Sequence, residues 1–270
     1  MKAPRKQNTA HTLSVVAAAL AVTASAGGLL LPGLYRDNAF YTTAWLGNDI
    51  ITLAVAVPVL VAALYFAQKG SQRAKLLWMG AMTYLLYNYA FYLFGAAFNR
   101  FFPLYVALFA LSLYALVSGI SNIRIRDISG HFSKTTPVRW VSLYLFCISI
   151  PLAIVEGGQY VRFVFSGTLP EIPHLIMVLD LSVVVPNSAL AGILLWHRRN
   201  WGFLLSALML VKASLYGMVL MTSTALIAMK GLGPRDPLMP FYTFVTVGGL
   251  ISLTVFLKNI SNNKSREQIN

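Results

Sequence analysis

The chain has 270 residues, 57% of them hydrophobic and 11% charged, with a mean hydropathy of +0.68 and a formal net charge of +13. Soluble domains carry about 25% charged residues, so this composition excludes one and predicts an integral membrane protein, with the lipid bilayer as its first partner. The single cysteine, Cys147, excludes an internal disulfide framework and any CxxC redox, haem or zinc motif.

A helix crosses about 30 Å of hydrocarbon in roughly 20 apolar residues. Runs of that kind lie at 12–34, 49–67, 76–99, 102–120, 138–156, 173–196, 202–229 and 239–257. The expected fold class is therefore all-α, a polytopic membrane protein of eight transmembrane helices in a single membrane domain covering 1–270. The connections are short; the longest, 34–48, 121–137 and 157–172, are read as loops, with Gly157-Gly158 marking a turn.

Assigning alternate connections to opposite sides segregates the cations. Fifteen fall with the two termini, among them Lys69, Arg73, Lys75, Arg124, Arg126, Lys134, Arg139, Arg198 and Arg199; five, Arg36, Arg100, Arg162, Lys230 and Arg235, fall opposite. The positive-inside rule then places both termini in the cytoplasm and the protein in the plasma (inner) membrane. The basic residues form no dense tract, so nucleic acid is not an expected partner. One competing reading remains at the start: Lys2, Arg5 and Lys6, an apolar run and Ala24-Ser25-Ala26 match a cleavable signal peptide over 1–26, although the apolar run continues to Leu34.

Self-comparison suggests two parallel four-helix repeats, 12–120 and 138–257. Both contain an out-to-in helix with a proline (Pro58, Pro186), a short basic turn and a returning helix, and Pro103-Leu104-Tyr105 stands opposite Pro240-Phe241-Tyr242. The competing explanation is the common composition of apolar segments. Each proline removes a backbone donor, so kinks are expected at Pro58, Pro151 and Pro186.

The informative residues are the polar ones inside apolar runs. Asp180 and Lys212 are charges at membrane depth, each costing about 2.5–3.5 kcal/mol on insertion scales, so an ion pair between them is expected. Tyr84, Asn88 and Tyr92 repeat at helical spacing on one face of the third helix; Asp180, Val184, Asn187 and Ala191 form a face of the sixth, and Lys212, Tyr216 and Ser223 one of the seventh. Counted at 1.5 Å per residue, Tyr84, Lys212, Asn88 and Asp180 lie about 12, 14, 18 and 20 Å from the cytoplasmic boundary, one central slab. The candidate ligand, ion or proton-relay residues are thus Asp180, Lys212, Asn88, Tyr84, Tyr216 and Asn187. Asp49 and Glu156 are candidates for an outer vestibule, Asp49 being read also as a carboxylate at the start of the second helix.

His11, His131, His174 and His197 are dispersed and show no metal-binding spacing, and no phosphate loop, dinucleotide fingerprint or Gly-x-Ser-x-Gly occurs. No cofactor is expected. The leading functional reading is a small-solute or proton-coupled transporter with a central polar cluster, its partner an unknown small solute or ion. A non-enzymatic sensor or assembly subunit, in which the cluster only fixes packing, is the first alternative, and an intramembrane enzyme the second.

Overall fold

The computed structural model describes residues 5–170, 172–234 and 236–261. Lys2, Arg235, Lys264 and Arg266 from the cation count, and both ends of the chain, lie outside the described residues. The fold is all-helical, 81% helix, with no strands among the described residues beyond one isolated bridge between Phe132 and Ile260.

In chain order the helices are α1 (Arg5–Leu30), α2 (Ala39–Ile51), α3 (Val57–Gln68), α4 (Gln72–Gly95), α5 (Phe102–Ser121), α6 (Ile125–Ser129), α7 (Val138–Ser166), α8 (His174–Leu179), α9 (Val185–Trp196), α10 (Asn200–Met229) and α11 (Met239–Lys258). α2 runs into α3 through a π-helical turn, Thr52–Ala56, and α8 into α9 through another, Asp180–Val184. Seven of the resulting helices are long and apolar enough to cross a membrane. The expected span 76–99 corresponds to α4, which is long enough but falls short in apolarity. The reason is visible in its burial: fifteen of its residues are buried, Tyr84, Tyr87, Asn88, Tyr89 and Tyr92 among them, so its polar and aromatic groups meet protein.

Several boundaries differ from the sequence reading. Asn38 caps α2, its side chain accepting from Tyr41 N–H at 3.0 Å, so the helix begins ten residues before Asp49 and consumes most of the expected 34–48 loop. Gly157 and Gly158 do not turn: α7 runs through both to Ser166 and stops at Gly167, whose φ of 67° is the left-handed cap that glycine adopts cheaply.

The prolines act differently from one another. Val57 N–H donates to the Thr52 carbonyl, and Val185 N–H to the Asp180 carbonyl, each a five-residue closure immediately before Pro58 and Pro186. A proline ring collides with the carbonyl four residues back, and widening the preceding turn relieves that collision. Pro151 sits inside α7, which continues past it as α-helix.

The chain forms two compact units: residues 1–124 with 211–251, and 125–210 with 252–270. They do not coincide with the halves 12–120 and 138–257. In the first unit α5 packs against α1 and α4, α3 against α4, and α1 against α2. Small residues permit the close approaches there: a Cβ at Gly80 would press on Val211, and one at Gly47 on Ser223, whose hydroxyl donates to the Ala44 carbonyl at 2.9 Å. In the second unit α7 packs on α9, with Gly192 against Phe146. Phe132, Phe203 and Phe256 gather there with ring centroids 4.6 and 4.7 Å from Phe132, and Ser133 N–H and Ser261 N–H donate to the Asn259 and His131 carbonyls.

Candidate functional site

The first unit is built around Asp49. It lies in the third turn of α2, not at a helix start, and only 1% of its surface is exposed. Tyr35, in the connection before α2, donates to Oδ2 at 2.5 Å, and Tyr92 of α4 donates to Oδ1 at 2.9 Å. Among the described residues no cationic side chain pairs with this carboxyl group. Burial first, and then the field of Asp49, push the Tyr35 hydroxyl well above the ordinary tyrosine range, so it remains a donor.

Gly28 of α1 lies directly behind this contact; a Cβ there would collide with the Asp49 carboxylate and the Tyr35 hydroxyl. The surrounding wall is aromatic. The Tyr92 ring stacks obliquely with Trp45, Tyr89 and Tyr105 at centroid distances of 4.9, 5.4 and 5.1 Å. Tyr89 and Tyr105 are 1% exposed, and their hydroxyls make no hydrogen bond among the described residues.

Beside Asp49 a second set of polar contacts joins residues 48–52 to α4. Thr52, the first residue of the π turn, shares a 2.8 Å hydrogen bond with the Tyr84 hydroxyl. Asn48 Oδ1 accepts from Thr52 at 3.3 Å and from Tyr84 at 3.4 Å, and Asn88 Nδ2 reaches Thr52 at 3.5 Å. Asn88 is fully buried, and its Oδ1 makes no hydrogen bond among the described residues. In the other direction Tyr92 also reaches the Trp45 carbonyl at 3.3 Å, and the Trp45 indole donates to Asp37 at 3.2 Å. The sequence reading of α4 as a polar face is thereby tied to specific partners on α2.

Lys212, 5% exposed, occupies the part of α10 that belongs to the same unit. Its ammonium stands 3.5 Å from the centroid of the Tyr87 ring and 5.1 Å from that of Tyr216, while the two rings meet edge to face at 4.9 Å. Two aromatic faces give a desolvated ammonium part of what water would supply.

Asp180, Glu156 and Asn187 belong to the second unit. Asp180 opens the second π turn, and Glu156 of α7 stands beside it with the carboxyl groups in hydrogen-bond reach. Glu156 is 2% exposed, and its Oε2 makes no hydrogen bond among the described residues. Asn187 turns back on its own helix, donating to the Val183 carbonyl at 2.8 Å.

Sequence reasoning missed Tyr35, Asn48, Thr52, Tyr89, Tyr105 and Gly28. Asn48 and Thr52 carried a legible signal, since with Asp49 they form polar positions 48, 49 and 52 on one side of an otherwise apolar helix. Tyr35 and Gly28 carried none, because both reach Asp49 only through tertiary packing. Comparison with protein-family models, with curated proteins and with solved structures finds no match to this chain.

Proposed function

We propose that the chain is a multi-pass protein of the plasma membrane, crossing it eight times with both termini in the cytoplasm, and that it moves a small solute or ion in a proton-coupled manner. The supporting observation is Asp49. A buried carboxyl group with no cationic partner among the described residues, held by two tyrosine hydroxyls, is suited to taking up and releasing a proton, and intramembrane carboxyls mark proton relays in pumps and transporters.

Two further features favour this reading. Two neighbouring hydrogen-bonded sets, Tyr35–Asp49–Tyr92 and Asn48–Thr52–Tyr84, place exchangeable hydroxyl and amide groups along α2 and α4 beside the carboxyl group. The hydroxyls of Tyr89 and Tyr105 and the Asn88 oxygen, buried without a hydrogen bond among the described residues, add polar groups of the kind a relay uses. α4 supports the eighth crossing: 24 residues extend about 36 Å, and its polar side chains are buried in protein. The two π turns, each opening six residues before a proline, support the pairing of the two halves as repeats.

The test is reconstitution in liposomes under an imposed pH gradient, with a trapped pH-sensitive dye and a panel of small solutes. Solute-dependent proton movement that disappears in Asp49→Asn, in protein that still elutes as a single folded species, is the expected result. Proton movement indifferent to both solute and substitution overturns the transport reading.

The alternative of an assembly subunit is favoured by one observation, the fit of Gly28 against the Asp49–Tyr35 contact, which serves to dock α1 on α2. On that reading Asp49→Asn lowers stability and leaves no flux to abolish.

A further inference from the structure

The second unit carries a basic cleft that the transport site does not use. The segment Lys134–Trp140, leading into α7, and the segment Trp196–Arg199, joining α9 to α10, enclose a cavity of about 560 Å³ lined by Thr136, Arg139, Trp196, His197 and Arg198. Neither segment contains an acidic residue, while together they contribute Lys134, Arg139, Arg198 and Arg199.

The two lining arginines are held in place. Arg198 adopts a left-handed backbone, φ 51°, which is unfavourable for a residue with a Cβ. That turn directs its side chain across to the other segment, where Nη2 donates to the Lys134 carbonyl at 2.8 Å and the Thr136 carbonyl at 3.0 Å. A guanidinium has five N–H donors, so the remaining three stay available to a ligand. Arg139 lies over the Trp196 indole at 5.7 Å, which orients the plane of its fork without consuming its donors. The first turn of α7 begins at the same place with no side-chain cap, adding the positive end of a 29-residue helix.

Position along the helices identifies the ligand. Trp140 and Trp196 on these segments and Trp201 in the first turn of α10 are 59, 39 and 47% exposed, and exposed indoles collect at the level of lipid headgroups. The cation count assigns these connections to the cytoplasmic side, where basic pockets between membrane helices bind anionic headgroups.

We propose that this cleft binds the phosphate of an anionic phospholipid headgroup, Arg139 and Arg198 supplying forked hydrogen bonds to its oxygens and Trp196 covering the glycerol. The assignment rests on the membrane placement proposed above. That placement is tested separately, before any lipid is added, by whether the chain is recovered from cell membranes only with detergent.

The experiment titrates the full chain in detergent with dioctanoyl phosphatidylglycerol, dioctanoyl phosphatidylcholine, glycerol 3-phosphate and inorganic phosphate, following tryptophan fluorescence and melting temperature. Phosphatidylglycerol is expected to bind about tenfold or more tighter than phosphatidylcholine, because the two share the phosphodiester and only the choline cation is repelled by Lys134, Arg139, Arg198 and Arg199. That preference is expected to vanish in Arg139→Gln and to persist in Arg126→Gln, which removes the same charge from α6. The side-chain contact of Arg139 among the described residues is the one with the Trp196 ring, and a lipid-free melting temperature of Arg139→Gln equal to wild type confirms that the variant is folded. Equal binding of both lipids, or a preference untouched by Arg139→Gln, overturns the proposal. Saturation by glycerol 3-phosphate or inorganic phosphate with no added affinity for phosphatidylglycerol overturns the lipid assignment and leaves a soluble phosphate ester as the ligand.

Discussion

Gly28 lies so close against the Asp49 carboxylate that no side chain fits between them. The atoms in the way are the ends of Asp49 and Tyr35, which are normally free to move aside, but their 2.5 Å hydrogen bond pins both. Gly28→Ala is therefore expected to displace Tyr35 from Asp49 and destabilise the protein by about 1–3 kcal/mol, the range for overpacking a filled interior. The check is thermal unfolding in detergent. In a Tyr35→Phe background the hydroxyl is already gone, so the same substitution should cost clearly less; equal costs in both backgrounds would show that the collision acts elsewhere.

Tyr35 also predicts an alkaline limit. Its hydroxyl is held protonated in the fold well above the ordinary value of 10.0, first by burial and then by Asp49, while the unfolded chain releases that proton near the ordinary value. Above pH 10 the folded state then binds more protons than the unfolded one, and stability falls as pH rises. Below pH 10 this contribution is fully present. Tyr35→Phe removes this part of the slope, so stability curves for wild type and variant should converge as pH rises past 10. Parallel curves would remove Tyr35 from the account.

Lys212 makes a separate prediction. Tyr87→Leu removes the nearer ring from its ammonium and is expected to cost about 1–2 kcal/mol more in wild type than in a Lys212→Met background, where no cation remains to be covered. A double-mutant cycle on melting free energies measures the coupling. Additive single effects would remove the Tyr87 ring as a partner of the ammonium.

A π turn is an α-helix with one residue too many, so removing that residue should preserve the faces of both flanks. Deleting Val55 together with Pro58→Ala is expected to give a folded, monodisperse protein. Deleting Val61 from the regular part of α3 should not, because every following side chain then turns about 100° away from its contacts. Size-exclusion profiles of the two proteins decide the matter.

The same extra residue explains where the sequence could be read and where it could not. The 4,4 spacing of Tyr84, Asn88 and Tyr92 lies in an uninterrupted helix, and all three residues are buried facing α2. The grouping of Asp180 with Asn187 crosses a π turn, which shifts the face by about one residue, roughly 100°; Asp180 stands beside Glu156 while Asn187 bonds its own backbone. Asp49 looked like a helix start because the apolar run begins there, whereas the Asn38 cap sets the true start ten residues earlier. The contacts of Gly28 and Tyr35 with Asp49 join segments through space, and no local period encodes them.

The π turn at Thr52–Ala56 gives α2 a lever. Five residues, about 7.5 Å, separate Asp49 from the middle of that turn, and a helix bends most readily at a π turn beside a proline. A bend of about 10° there moves the carboxyl group about 1.3 Å, enough to take the 2.9 Å bond to Tyr92 beyond hydrogen-bonding range. Asn48, one residue farther from the turn, moves slightly more, and Thr52, at the turn itself, moves least. Bending is thereby geared: the same small angle uncouples Asp49 and Asn48 together and leaves the Thr52–Tyr84 contact standing as the fulcrum.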